Sequence, residues 1–126
     1  MISKLLNDFV SAEGMTIPND FREFMEKNGS KLFDWAFAEI TVGNNTFVFN
    51  NFLGDTGELN TDLYKWYKFA SNGSEYLTFG NGVYGESFAI KVKGDMIGQI
   101  VVFCDDDGEP QKYILASSFS DFLAKL

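Results

Sequence analysis

The chain has 126 residues, 45% apolar and 22% charged, enough to bury one substantial core in a single domain spanning residues 1–126. Its 18 acidic residues outnumber 10 basic ones, and the net charge of −8 repels phosphate backbones and anionic membranes, which argues against nucleic acid or lipid as partners. There is no histidine and one cysteine, Cys104, so Ser-His-Asp and Cys-His catalysis, ordinary zinc sites, intramolecular disulfides and CxxC redox chemistry are excluded.

Ile2, Leu5, Leu6, Phe9 and Val10 recur at helical spacing, with Gly14 suited to the stop. Charge interrupts this segment too early for a signal peptide, and no stretch reaches the apolar length of a membrane span, so cytoplasm is the expected compartment. A second helix follows, with Pro18 in its first turn, Phe21, Phe24, Met25 and Asn28 on one face and Gly29 at its end. Its outer face carries the weak Glu23–Lys27 pair.

From Ala38 the period becomes two: Ala38, Ile40 and Val42 alternate with Glu39 and Thr41, and Gly43-Asn44-Asn45 turns the chain into Phe47-Val48-Phe49, a hairpin. Residues 50–60 read as a loop, and Leu63, Trp66, Tyr67 and Ala70 suggest a short third helix. Tyr64, Trp66, Tyr67 and Phe69 fit core packing better than a binding face, although such residues do anchor interfaces. Tyr76 to Phe79 and Ser87 to Lys93 read as strands, and the Gly94-Asp95 turn leads to Gln99–Cys104, whose apolar run fits a central strand covered on both faces. That placement puts Cys104 in the core rather than at a reactive site.

Lys112 to Leu115 supplies the last strand, and Ser118 opens a closing helix in which Phe119, Phe122, Leu123 and Leu126 form one stripe. Ser118 is placed to cap the first turn, with Asp121 at the capping-box position. Most of the 14 Phe must lie in the core, since many exposed ones would drive aggregation. The expected fold is α+β: a mostly antiparallel or mixed central sheet flanked by N-terminal helices and a C-terminal helix.

Two clusters invite a chemical reading. Gly80-Asn81-Gly82-Val83-Tyr84-Gly85 matches GxGxxG, and Asp105 lies twenty residues beyond it. A dinucleotide fingerprint needs a helix after the glycines to face the pyrophosphate, whereas here they lead into the strand pattern Phe88-Ala89-Ile90-Lys91-Val92, so a turn or bulge is expected. Asp105-Asp106-Asp107-Gly108-Glu109 is the densest acidic run. It lacks the spacing of an EF-hand, and the choice lies between a solvated turn, a protein-contact surface and a cation site. Acid/base catalysis by paired carboxylates would require an enclosed cleft.

Two segments together resemble the SUKH superfamily, the SMI/KNR-type domain shared by a fungal cell-wall regulator family and many bacterial immunity proteins. The first, Ile17-Pro18-Asn19-Asp20-Phe21-Arg22-Glu23-Phe24-Met25-Glu26-Lys27-Asn28-Gly29, is similar to the family's opening helix. The second, Ile114 to Leu126, is similar to its strand-to-helix ending with a Ser-Phe-x-x-Phe-Leu core. Between them, Gly82 to Val92 and Gln99 to Asp107 stand where the family places Gly-led central strands, while the longer polar stretch Asn50 to Ser74 departs from its pattern. The resemblance implies a non-enzymatic protein, without cofactor or metal, that binds and neutralises a cognate bacterial toxin, often a nuclease, in the manner of the immunity branch. A regulatory or scaffolding module for an endogenous protein or small ligand is the alternative, suggested by the fungal branch. Acidity suits the blocking of a basic toxin, and the candidate partner-binding residues are Asp55, Glu58, Asp105, Asp106, Asp107 and Glu109.

Overall fold

The computed structural model describes residues 11, 14–28, 38–52, 75–106 and 108–126. The first expected helix, the third expected helix and the aromatic set at 64–69 lie outside the described residues. Within them are helix α1 (Asn19–Asn28), strands β1 (Ala38–Val42), β2 (Asn45–Phe52), β3 (Tyr76–Gly82), β4 (Ser87–Lys91), β5 (Ile100–Asp106) and β6 (Glu109–Ala116), and helix α2 (Phe119–Leu123).

The six strands form one sheet in chain order, each antiparallel to the next. The expectation of a mostly antiparallel or mixed sheet thus resolves to an antiparallel meander. The sheet curls towards a barrel: Phe47 of β2 and Tyr113 of β6, on strands that are not neighbours, bring their ring centroids to 5.4 Å. β2 runs on through Asn50–Phe52, residues that read as loop from their polar composition, because Asn51 and Phe52 pair with Asn81 and Gly80 of β3. Tertiary pairing here overrides a weak local strand preference. β3 likewise extends past Phe79 to Gly82.

The concave face carries the core. Phe21 and Met25 from α1, Phe49, Phe52, Phe79 and Phe88 from the sheet, and Phe119 and Phe122 from α2 are fully buried. Their rings meet mainly edge to face, with Phe21–Phe119 at 4.9 Å, Phe49–Phe88 at 5.0 Å and Phe79–Phe122 at 5.3 Å between centroids, the geometry that the ring quadrupole favours. Ile100, Val101 and Val102 are all fully buried, so β5 opens as a strand covered on both faces, as its unbroken apolar run implies. Toward its end Phe103 and Cys104 are only half-buried, and Cys104 therefore sits at the margin of the core rather than within it.

Gly80 explains part of the glycine cluster. The β3–β4 register shifts between Thr78 and Gly80, a bulge, and a Cβ at Gly80 would lie 2.6 Å from Phe49 Cε2 and 2.8 Å from the Asn51 carbonyl. No helix follows these glycines, which removes the dinucleotide reading.

The chain ends are locked by a small polar set. Ser118 accepts a hydrogen bond from the Asp121 N–H at 3.1 Å and caps α2 as expected. Asp121 does not close a capping box; its carboxylate accepts instead from the Ser117 hydroxyl at 3.0 Å. A further donor of the α2 start is taken by Asp20 of α1, whose Oδ2 accepts from the Ser120 N–H at 2.9 Å and the Ser120 hydroxyl at 3.0 Å. Asp20 Oδ1 accepts the Phe21 N–H at 2.8 Å, so one carboxylate joins the first turns of both helices.

Candidate functional site

The meander places the β1–β2, β3–β4 and β5–β6 turns at the same end of the sheet, away from the start of α1, where Gly98 of the β4–β5 loop meets Pro18. This turn end is where the acidic and aromatic features converge.

Its central element is the β3–β4 turn. The Gly82 N–H donates to the Glu86 carbonyl at 2.8 Å, closing the hairpin, and the Val83 N–H donates to the Val48 carbonyl at 3.0 Å, tying it to β2. The Glu86 side chain folds back over the turn, where its Oε1 accepts the Tyr84 N–H at 2.7 Å. Gly82 makes room for it: a Cβ there would stand 2.6 Å from the Glu86 carboxyl carbon and 2.8 Å from both oxygens. The result is an uneven pair of neighbours, with Glu86 only 6% exposed and the Tyr84 ring projecting at 83%. Oε2 of Glu86 has no hydrogen-bond or ion-pair partner among the described residues.

A cleft of about 300 Å3 opens beside this turn, lined by Thr46 and Phe47 of β2, Tyr84 and Glu86 of the turn, Asp105 of β5 and Tyr113 of β6. A second depression of about 370 Å3 shares Gly85, Cys104 and Asp105 with it and extends to Phe103 and Gln111. Asp105 is exposed and borders both.

The expected site residues fare unequally. Asp105 lies at the cleft, and the backbones of Asp106 and Glu109 form the last register pair of the β5–β6 hairpin. Asp107, Asp55 and Glu58 lie outside the described residues. Among the described residues no group of three His, Cys, Asp or Glu comes together to hold a metal ion. Glu86 and Tyr84 were not among the expected site residues. The signal was present: an acid after two glycines, at the entry to the apolar run Phe88–Ile90, has no reason of amphipathic pattern to be there.

A basic counterpart lies on the convex face. Lys91 pairs with Glu75 at 2.8 Å, and the Lys91 and Lys112 ammonium groups flank the Tyr76 ring at 5.2 and 5.4 Å from its centroid. The hydrogen bond and charge of Lys91 lower the Glu75 pKa, and the hydrogen bond to Glu75 chiefly raises that of Lys91. Both lysines are thus engaged with neighbours on that face, Lys112 also donating to the Tyr76 hydroxyl at 3.1 Å.

The pattern of the SMI1 / KNR4 family (SUKH-1) matches residues 3–125. The chain belongs to that family. No curated protein and no solved structure matches it. No helix among the described residues is long and apolar enough to cross a membrane.

Proposed function

We propose that the protein is an immunity protein that binds and neutralises a cognate bacterial toxin, basic in character and often a nuclease, through its turn end. The observation that carries this reading is the cleft beside the β3–β4 turn, where buried Glu86, exposed Asp105 and the projecting Tyr84 ring meet on a chain of net charge −8. A projecting tyrosine is the kind of side chain that anchors protein interfaces. Carboxylates at the rim steer a basic partner and speed its encounter. Membership of the SMI1 / KNR4 family (SUKH-1) supports a protein-binding role. In this reading the protein is not an enzyme, uses no cofactor, and acts in the cytoplasm, where an incoming toxin meets its target.

The test is co-purification with the product of the gene beside its own, together with an assay of that product's toxicity. Stable association and loss of toxin activity at equimolar protein are expected. A neighbour that is neither bound nor inhibited sinks the reading.

A further inference from the structure

We infer that the cleft at the turn end is a seat for one arginine side chain of the partner, held by Glu86 and stacked beneath Tyr84; this rests on the protein-binding reading above. A carboxylate accepts several hydrogen bonds, and one buried with most of them unmade is costly unless a counter-charge arrives. Glu86 is 6% exposed, and among the described residues its carboxylate receives one donor, the Tyr84 N–H on Oε1. Bracing the turn needs only that one acceptor, which a neutral amide would supply equally well. The second oxygen serves no purpose inside the described residues, and Asp105 adds a further acceptor on the same cleft.

The walls favour guanidinium over ammonium. Phe47, Tyr84 and Tyr113 line the space, and a planar delocalised cation stacks on such rings while presenting a fork of donors to a carboxylate. At about 300 Å3 the cleft lies at the lower limit of small-ligand sites, the scale of one long side chain rather than of a folded segment.

The experiment titrates N-acetyl-arginine methylamide into isotopically labelled protein and follows backbone amide resonances, with the citrulline analogue as the uncharged isostere. Expected are saturable shifts at Tyr84, Gly85, Glu86 and Asp105 with the arginine probe and none with citrulline. Glu86→Gln keeps an oxygen for the Tyr84 N–H and should weaken the probe by about tenfold or more, in keeping with loss of a charge-assisted hydrogen bond. Tyr84→Ala, at an exposed position that the fold does not depend on, should weaken it several-fold, so the inference stays testable if Glu86→Gln fails to fold. Equal shifts with citrulline, shifts spread over the acidic surface, or affinity unchanged in the variants would overturn the assignment. The probe contains no toxin, so the two readings fail separately. Arginine binding without toxin inhibition removes the immunity reading, whereas toxin inhibition indifferent to Glu86→Gln removes this one.

Discussion

Asp20 and Glu86 are both carboxylates held against the fold, and they are treated in opposite ways. Asp20 is half-buried and receives three donors, from Phe21 and from the backbone and hydroxyl of Ser120, so that it fastens α1 to α2. Glu86 is more deeply covered yet receives one donor among the described residues. A satisfied carboxylate reports a structural joint. A desolvated one with an idle oxygen, next to an exposed aromatic and a cleft, reports a surface completed by something else. The helix-packed half of the molecule is finished, and the turn end is not.

Variants can break that contrast in graded steps. Phe122→Ala, in the centre of the aromatic core, should cost about 3–5 kcal/mol in urea denaturation, the range for removal of a buried ring. Gly82→Ala comes next. The added methyl must displace the Glu86 carboxylate, so stability should fall by about 1–3 kcal/mol, and partner affinity should fall with it. Asp20→Ala strands the Ser120 donors and should destabilise by about 1–2 kcal/mol while leaving affinity for the partner at its original value. Charge reversal across Asp105–Asp107 should leave the unfolding free energy within about 0.5 kcal/mol of the parent, slow association and flatten its salt dependence; an unchanged on-rate removes this cluster as the steering patch.

The smallest effect belongs to the Glu75–Lys91 pair. The Glu75 pKa is lowered from its ordinary 4.5, so the pair's contribution is present above that value and fades as pH falls through the lowered one. The Lys91 pKa is raised from 10.5, so the contribution is present below that value and fades as pH climbs through the raised one. Glu75→Gln should therefore destabilise slightly on the plateau between, and the difference from the parent should vanish in strong acid. A difference that persists there would mean the glutamate acts by packing rather than by charge.

Much of the scaffold could be read from residue order. Helical spacing around Phe21 and Phe24, the alternation from Ala38 to Val42, the apolar run of β5 and the Ser118 cap all appear as expected, because each is specified by local pattern. What escaped the pattern was fixed by pairing at a distance. Asn50–Phe52 became strand through β3, and Asp121 turned to Ser117 instead of closing a box. The site was legible only in part. Asp105 stood out as one acid among several, but charge density alone could not separate it from Asp106 or Glu109. Glu86 left only a faint mark, an acid at the entry to an apolar strand, because its isolation appears only once the turn folds the carboxylate over Gly82.

The most direct test is inhibition of the proposed toxin partner by two sets of variants at opposite ends of the sheet. Tyr84→Ala and Asp105→Lys alter the turn end, and Met96→Ala alters the exposed β4–β5 loop at the other. The first two should lose inhibition while Met96→Ala retains it, all three remaining folded. Loss confined to Met96→Ala, with full inhibition by the turn-end variants, would contradict the turn-end reading.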